Sequence, residues 1–512
     1  MAAPIRVLFR GGTVLTHDDD DHVIPIESDL LVEGKSIKEI SPSIQLPTGS
    51  DVKVVDCKNK IVSPGFISTH QHLWQSLCKS LWSEFTILEY LCLGLFDNVH
   101  HQPNDIFWAE LAGALEGIDA GTTTVMDHAH FHYSTEHSDA AIAALEATGL
   151  RAVFCFCPSS RLRKHDPLEV DGDIFCDWIM DKIQALAQNA PYGDGRIQIG
   201  FGLDEFRFDR ATTVDVFKRI KSFGIKHVTT HYFRSPAGGR PTISFYFPLK
   251  NSRLALFDEY GIVDPDTHWV VSHATNPMPG DASLLQKHNM YISSAPSSAM
   301  QMVMGHPTAL YHPTEDFFSH ASVGADSHAI CGSSLASELR ILLQDARAQF
   351  NDSLVESWKS PAKLNRSVED AFNLATVKGA RALGMADQIG QLKAGMAADI
   401  VVYDGTTPAM YGGAQTNPVT AIVTLSSPAD VELVMVDGII RKENGRLKNV
   451  QTAQGDQKWR EGANETLTWA DISAKLIEKS RVMKSRIHSV DENQMRKSVM
   501  QFLNVDPSVV VE

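Results

Sequence analysis

Short apolar segments rich in β-branched residues alternate with helix-like spans between residues 64 and 385. Strands that alternate with helices predict a parallel sheet, and eight such units are typical of a (β/α)8 barrel. The eight predicted strands are 66–72, 123–129, 151–157, 197–203, 226–232, 268–274, 290–295 and 321–326. We therefore expect an α/β fold with a TIM-like barrel over residues 64–385.

Both ends of the chain carry a different pattern, in which short β segments follow one another without long helices between them. Such segments lie in residues 1–63 and again in residues 386–455. Because strands need hydrogen-bonding partners, the simplest arrangement joins both groups into a small composite β-sandwich domain, with the barrel inserted between them. Residues 456–512 are charged and helix-like, and we expect a helical C-terminal extension that caps the barrel or forms a subunit contact.

The overall composition excludes several classes of protein. The 512 residues carry a formal net charge of −16, which argues against a nucleic-acid partner because phosphate binding requires a basic face. No apolar run reaches the roughly 18 residues of a membrane span, and the N-terminus is typical of a first strand rather than a signal peptide. The seven cysteines are scattered and odd in number, so we expect reduced thiols in a cytoplasmic protein.

Two histidines end the first predicted strand. His70 and His72 stand two residues apart, and side chains at positions i and i+2 of a strand project from the same face. Two imidazoles placed in this way can bind one divalent metal ion. The pair alone is weak evidence, because histidine pairs are common on surfaces, so the other strand ends decide the question.

Polar residues also end three further predicted strands, at the barrel face where active sites of this fold lie. These residues are His231, His273 and Asp326. Four histidines and an aspartate at four strand ends predict a metal site. Imidazole and carboxylate ligands suit one Zn²⁺ ion first, with Fe²⁺, Mn²⁺ or Ni²⁺ as alternatives, and an open ligand position is typical of a catalytic site.

Longer motifs around these residues resemble the amidohydrolase superfamily, in the branch that holds triazine hydrolases and cytosine and guanine deaminases. The matching segments are Pro64-Gly-Phe-Ile-Ser-Thr-His-Gln-His-Leu-Trp-Gln75, Gly121-Thr-Thr-Thr-Val-Met-Asp127, His231, His273, Gly324-Ala-Asp-Ser327, and the tail from Ala375-Thr376 through Gly379-Ala380, Gly384, Gly390 and Gly395 to Ala398-Asp-Ile-Val-Val-Tyr403. The resemblance runs from about residue 5 to residue 445. It implies a mononuclear site in which the metal ligands are His70, His72, His231 and Asp326.

The resemblance also implies the reaction. The metal ion would lower the pKa of a bound water from about 15.7 towards 7, and Asp326 would accept its proton as general base. His273 would hydrogen-bond that water or the substrate oxygen. The bridging lysine of binuclear members is missing from the fourth predicted strand, which ends in Leu203-Asp204-Glu205. We expect one metal ion and hydrolysis of a carbon–nitrogen bond, or another carbon–heteroatom bond, of a small cyclic or heterocyclic molecule.

Arg234 departs from the deaminases of this branch, which carry a glutamate three residues after the third histidine. A guanidinium stays charged near pH 7 and cannot act as a general acid, but it can hold a carboxylate in a bidentate grip. We therefore expect an enzyme that is not a typical purine or pyrimidine deaminase, with an acidic substrate held by Arg234; a loop salt bridge is the alternative. His128 is a candidate for the missing acid, and His130 and His132 are expected in a solvated loop.

Trp74 and Gln75 directly follow the metal motif, and we expect both to contact the substrate. Two other functions stay open. One is a lyase or decarboxylase that uses the same metal ion, and the other is a catalytically silent assembly subunit, against which the intact ligand set argues. The expected partners are a small-molecule substrate and further copies of this chain in a homodimer or higher homo-oligomer, with no nucleic acid and no membrane.

Overall fold

The first part of the chain contributes five strands to a sheet that the last part completes. A computed structural model describes residues 6–46, 51–94, 96–234, 252–487, 489–503 and 505–510. The N-terminal strands are β1 (Arg6–His17), β2 (Val23–Glu33), β3 (Ser36–Ser41), β4 (Lys53–Asp56) and β5 (Lys60–Pro64). They precede the barrel directly, because only Gly65 separates β5 from the first barrel strand.

The barrel strands follow. They are β6 (Phe66–His72), β7 (Thr122–Ala129), β8 (Arg151–Phe156), β11 (Ile197–Gly202), β12 (His227–Phe233), β13 (His268–Thr275), β14 (Tyr291–Ser294), β15 (Ala321–Val323) and β16 (Asp326–Ser327). A separate hairpin of β9 (Arg161–Lys164) and β10 (Glu169–Asp171) lies between β8 and β11 along the chain. Without the hairpin, neighbours in this order pair in parallel from β6 to β15. The predicted α/β barrel is therefore confirmed. Every residue of β6, β7 and β8 is buried, as expected for parallel strands covered on both faces.

The eighth barrel strand is split into two pieces, and this split closes the barrel. β15 pairs with β14, whereas β16 pairs with β6, where Asp326 lies opposite Gln71. Between the two pieces lies Gly324, and a Cβ at this position would lie 2.4 Å from the carbonyl oxygen of His70. Only glycine allows this approach, so the last strand lies directly against the strand that carries His70 and His72.

Helices lie between the strands along the chain, and more helices follow them. The α-helices of the described residues are α1 (Ile87–Glu89), α2 (Pro103–Asp119), α3 (Thr135–Thr148), α4 (Asp177–Asn189), α5 (Arg210–Ser222), α6 (Arg253–Tyr260), α7 (Asp281–His288), α8 (Pro296–Gln301), α9 (Leu335–Glu356), α10 (Val368–Leu374), α11 (Val377–Ala382), α12 (Gly413–Thr416), α13 (Pro418–Thr420), α14 (Gln457–Arg460), α15 (Trp469–Ile487) and α16 (Glu492–Phe502). Tyr90–Gly94 forms a short π-helix, an irregular element that often marks functional sites.

The C-terminal strands complete the sheet begun at the N-terminus. They are β17 (Ile400–Asp404), β18 (Val431–Val436), β19 (Ile439–Glu443) and β20 (Arg446–Leu447). The strands β21 (Val450–Gln451) and β22 (Thr466–Leu467) pair with each other in a separate two-stranded sheet. β17 pairs antiparallel with β5 and so joins both chain ends in one sheet, in the order β20-β19-β18-β17-β5-β1-β2-β3 with β4 on β1. The expectation that both chain ends build a second sheet is confirmed, and the division into domains at residues 63, 385 and 455 stays a prediction.

The C-terminal helices pack on the barrel rather than extend away from it. On α15, the Nζ atom of Lys479 lies 2.8 Å from Asp105 of α2, and Arg486 lies 2.7 Å from the same carboxylate. Met495 and Val499 of α16 are buried in an apolar cluster with Leu91. Within the described ranges, no helix has the length and apolar character needed to cross a membrane.

Candidate metal centre

Four strands bring histidine and aspartate side chains together at one end of the barrel. His70 lies in β6, His231 in β12, His273 in β13 and Asp326 at the start of β16. Each offers one ligand atom, and these four atoms all lie within 4.8 Å of one another. The site is therefore assembled where the barrel fold places active sites, at the carboxyl ends of its strands.

His72 belongs to the same cluster. Its Nε2 atom lies 3.4 Å from Oδ1 of Asp326 and 3.3 Å from Nε2 of His231. The Nε2 atom of His70 lies 3.2 Å from the same aspartate oxygen, and the Nε2 atom of His273 lies 4.0 Å from its other oxygen. The structure thus brings together all five residues that the sequence singles out at the strand ends.

The ring orientations leave several imidazole nitrogens facing the cluster. Nδ1 of His72 donates to the carbonyl oxygen of His128 at 2.7 Å, and Nδ1 of His231 donates to Asp204 at 3.0 Å. Each of these rings therefore turns its Nε2 atom towards the cluster. Within the described part of the chain, neither nitrogen of the fully buried His70 meets a hydrogen-bond partner in good geometry. Buried nitrogens without partners beside a carboxylate fit a divalent metal ion.

The protonation states agree with this donor set. Burial lowers the pKa of His70 to about 3 and the pKa of His273 to about 4, against the raising effect of Asp326 on both. Both imidazoles are therefore neutral near pH 7, the form that binds metals. Burial acts to raise the pKa of Asp326, but the histidines around it hold this pKa well below its usual range, so the carboxylate is ionised.

Two residues of the cluster have unusual backbone conformations. His273 has φ +69° and Asp326 has φ +57°. These values lie in the left-handed region, which residues other than glycine and asparagine rarely adopt. Such conformations cost of order 1–3 kcal/mol each and persist where the surrounding structure enforces them, often at active sites. Here they occur near the end of β13 and at the start of β16, where both side chains enter the cluster.

A cavity with an empty volume of about 780 Å³, its mouth included, opens above the cluster. Its floor is polar and contains most of the strand-end residues, whereas one wall is apolar. The lining residues are His72, Ile87, Tyr90, Leu91, Asn98, His130, Ser159, Ser160, Asp204, His231, Phe233, His273, Met302, Met304, Asp326, Ser327 and Ile330. A small molecule can therefore reach the cluster with one side against apolar residues.

Trp74 and Gln75 lie behind this lining. Trp74 is buried, with its ring edge-on to that of the lining residue His130 at a centroid distance of 5.3 Å. The side chain of Gln75 donates to the Tyr90 hydroxyl at 3.1 Å and accepts from the hydroxyl of Ser327. Both predicted contact residues thus support lining residues in the structure, and direct contact of either with the substrate stays a prediction.

His128 and Arg234 also lie away from the cavity lining. His128 is fully buried, and its Nε2 atom lies 3.0 Å from Oδ2 of Asp204. Arg234 is exposed, and its guanidinium donates to the carbonyl oxygen of Asn276 at 3.3 Å. Since β12 already ends at Phe233, the position of residue 234 along the chain does not direct its side chain towards the cluster.

Sequence reasoning missed two residues that line the cavity, His130 and Asp204. His130 was expected in a solvated loop together with His132, but both are buried, and the His132 ring stacks on Phe156 at a centroid distance of 3.6 Å. The signal for His130 is its spacing, because His128, His130 and His132 alternate as strand residues do. Asp204 stands two residues after β11, where the strand-end rule already points.

A sequence model of the Amidohydrolase family matches residues 61–441. This chain belongs to the amidohydrolase family. Among its relatives in the family, a 5-methylthioadenosine/S-adenosylhomocysteine deaminase of Pelotomaculum thermopropionicum is 23% identical over 450 residues, which cover 87% of this chain and 95% of the relative. A 5'-deoxyadenosine deaminase of Methanobrevibacter smithii is 23% identical over 465 residues, 87% of this chain and 98% of the relative.

Solved structures with the same fold include two zinc-containing proteins. The atrazine chlorohydrolase of Arthrobacter aurescens TC1, complexed with zinc, has a TM-score of 0.73 at 20% identity, over 93% of this chain and 100% of its own. An adenosine deaminase of Xanthomonas campestris with bound zinc has a TM-score of 0.72 at 18% identity, over 95% and 100%. The predicted family and its metal-dependent hydrolase function on carbon–nitrogen bonds are confirmed, and the cluster of histidines with Asp326 supports the predicted divalent metal ion.

One prediction is wrong. The expectation that this amidohydrolase is not a typical purine or pyrimidine deaminase is contradicted by its relatives, several of which are named as adenosine-type deaminases. The physical reason lies at Arg234. Its exposed side chain does not line the cavity, so its identity does not show whether the cavity can donate a proton to a leaving amine.

Proposed function

We propose that this amidohydrolase removes an amino group from an adenosine-type heterocycle, with one divalent metal ion and release of ammonia. The observation that carries the proposal is the cluster of His70, His231, His273 and Asp326, whose donor atoms lie within 4.8 Å at the floor of a cavity. The relatives named as adenosine-type deaminases support the choice of substrate class.

The proposed ligands are His70, His72, His231 and Asp326. His72 and His231 present Nε2 atoms 3.3 Å apart, and each ring is oriented by a hydrogen bond from its other nitrogen. Asp326 lies within 3.4 Å of both His70 and His72. His273 lies farther from this aspartate, at 4.0 Å, and is proposed to contact the reacting atoms instead.

The residues around the ion divide the chemistry between them. Held by these four ligands, a divalent ion would supply an acidified water, whose pKa would be lowered from about 15.7 towards 7. Asp326, ionised because its pKa is held low, accepts a proton as general base and carries it to the departing amine. A neutral His273 donates a hydrogen bond to the oxygen that gains negative charge during attack.

The apolar wall is proposed to hold the part of the substrate that does not react. Ile87, Leu91, Phe233, Met302 and Met304 form this wall. Burying an apolar substituent there contributes about 25 cal/mol for each Å² of apolar surface removed from water. The wall therefore favours heterocycles with an apolar group over their smaller analogues.

Ammonia release from defined substrates tests the proposal. The zinc-loaded enzyme is incubated with adenosine, 5'-deoxyadenosine, 5-methylthioadenosine and S-adenosylhomocysteine in oxygen-18 water. We expect ammonia from at least one of them and one oxygen-18 atom in its product. Absence of ammonia from all four would overturn the substrate class. An unlabelled product would exclude hydrolysis, and carbon dioxide from an acidic substrate would indicate a decarboxylase.

We propose that the chain forms a homodimer or higher homo-oligomer in the cytoplasm and acts on a small molecule. Light scattering coupled to size-exclusion chromatography measures the assembly, and a mass equal to one 56.4 kDa chain would contradict it.

A further inference from the structure

We infer that Asp204 positions His231 for metal binding, an inference that rests on the metal site proposed above. Asp204 stands two residues after β11, at the end of the fourth barrel strand, and it is buried. A carboxylate that accepts a hydrogen bond from the far nitrogen of a ligating imidazole fixes the tautomer and the orientation of that ring. Asp204 meets this description through both of its oxygens.

The two oxygens of Asp204 hold His231 at two points. Oδ1 accepts from the backbone N–H of His231 at 2.9 Å, and Oδ2 accepts from Nδ1 of its ring at 3.0 Å. A carboxylate oxygen that faces Nδ1 accepts a hydrogen bond from it, so Nδ1 carries a hydrogen and Nε2 is the ring nitrogen left to bind a metal ion.

The other side of His231 is held by Arg253, a buried residue of α6. Its guanidinium donates to the carbonyl oxygen of His231 and also to Oγ1 of Thr230, at 3.2 Å. The backbone N–H, the backbone carbonyl and the ring Nδ1 of His231 are therefore all engaged. The remaining nitrogen, Nε2, lies 3.3 Å from Nε2 of His72, where the proposed ligands converge.

His128 and Cys157 complete the surroundings of the carboxylate. Nε2 of His128 lies 3.0 Å from Oδ2 of Asp204, and the Cys157 thiol donates to the same oxygen at 3.7 Å. These three side chains lie close enough to hold a metal ion themselves. We favour a positioning role for Asp204 over a second metal site, because His128 and Cys157 already contact its Oδ2 atom. Its Oδ1 atom accepts from the backbone N–H of His231. His128 gains a role here as a support of Asp204.

Zinc affinity tests the inference without an activity assay. Asp204→Asn keeps the side-chain shape but replaces one acceptor oxygen with an NH₂ group that cannot accept. We expect the zinc Kd to rise about 10–100-fold, measured by competition with a chromophoric chelator. The matched control is Glu205→Gln, at the next residue, where a buried carboxylate binds Ser160 at 2.7 Å and Arg207 at 3.0 Å; its zinc Kd should stay within about twofold of the wild-type value.

The outcomes separate this inference from the proposed function. If the wild type binds no zinc, both fail; if the wild type and Asp204→Asn bind zinc equally well, only the inference fails. Cys157→Ala should bind zinc as the wild type does, and a loss as large as that of Asp204→Asn would assign the ion to Asp204 itself. If Asp204→Asn does not fold without metal, Asp204→Glu repeats the test: displaced oxygens should weaken zinc binding, and unchanged binding would overturn the inference.

Discussion

The floor and the apolar wall of the cavity are built in different ways. The floor consists of residues at the ends of barrel strands, such as His231 and Asp326, each held by hydrogen bonds or ion pairs to its neighbours. Most of the wall lies outside the barrel strands, as do Leu91 in the π-helix Tyr90–Gly94 and Met302 after α8, whereas Phe233 is the last residue of β12. We therefore expect the floor to determine which reaction is catalysed and the wall to determine which molecule enters.

A second apolar layer lies behind the wall. Met495 and Val499 of α16 belong to the same apolar cluster as Leu91, Phe233 and Met302. On the same helix, Phe502 lies edge-on to Phe96 at a centroid distance of 6.3 Å, and Arg496 lies 3.3 Å from Glu89. The C-terminal helix therefore supports the wall from behind, and changes in it should act on substrate binding rather than on the chemical step.

The largest expected effect comes from the floor. We expect His70→Ala to reduce kcat by about a thousandfold or more, equivalent to ~4 kcal/mol of transition-state stabilisation, because the protein loses a proposed ligand from the centre of the cluster. Metal analysis of the purified variant should show less than the wild-type content. His22→Ala, a change at an exposed histidine, is the control and should leave both values unchanged. Full activity of His70→Ala would remove this residue from the site.

Metal removal should have an effect of similar size, but a reversible one. Dialysis against a chelator should abolish turnover, and stoichiometric zinc should restore it. A ligand that binds only the folded state also stabilises it, so the thermal unfolding midpoint should fall on removal and recover on addition. A metal-free protein that is folded and fully active would contradict the proposed chemistry. It would also contradict the assignment of the reaction to the floor of the cavity.

A change in the wall should affect binding alone. Met302→Ala removes apolar contact surface from the cavity, and we expect KM to rise about tenfold, or ~1.4 kcal/mol, with kcat within about twofold of the wild type. Val303→Ala changes the neighbouring residue, which is 66% exposed, and should alter neither constant. A fall in kcat with constant KM would mean that the wall also takes part in the chemical step.

The layer behind the wall should give a smaller effect of the same kind. Val499→Ala opens space under Leu91, and we expect a rise in KM of about threefold, or ~0.65 kcal/mol, with little change in kcat. Lys497→Ala, at an exposed position of the same helix, is the control. Hydrogen exchange of residues 87–94 should be faster in Val499→Ala than in Lys497→Ala, and equal rates would show that α16 does not support the wall.

The smallest effect is expected at Arg234. Its guanidinium is exposed and donates to Asn276, so Arg234→Glu should change KM for the true substrate by less than about twofold. Arg234→Gln, which removes the charge without reversing it, should behave in the same way. A rise in KM of fivefold or more in both variants would restore the prediction that Arg234 holds an acidic substrate.

The floor could be predicted from sequence because each of its rules is local. The predicted strand 66–72 coincides with β6. The carboxyl ends of all strands in a parallel barrel lie at the same face, so recognising the strands is enough to predict that their terminal polar residues meet there. These residues are His70, His72, His231, His273 and Asp326. The split of the predicted strand 321–326 into β15 and β16 was not predictable. It depends on pairing of each piece with a different neighbour.

The wall could not be predicted, because it brings together segments that are distant in sequence. One apolar cluster combines Leu91, Met302 and Val499, which lie far apart in the sequence. No shared sequence pattern links the three segments, and their contacts depend on how the C-terminal helix packs. Arg234 illustrates the same limit. A fixed offset from His231 specifies a side-chain direction only while the strand continues, and β12 ends one residue earlier.

The split eighth strand affects when the metal site can form during synthesis. His70 and His72 leave the ribosome with the first barrel strand, but Asp326 emerges only with the last. Until β16 pairs with β6, one edge of β6 has no partner strand, and the metal site lacks Asp326. This final joint contains only two residue pairs, Asp326 with Gln71 and Ser327 with His72. Because proposed ligands lie on both β6 and β16, a bound ion would link the two strands. We therefore expect the closed barrel to persist longer when metal is available.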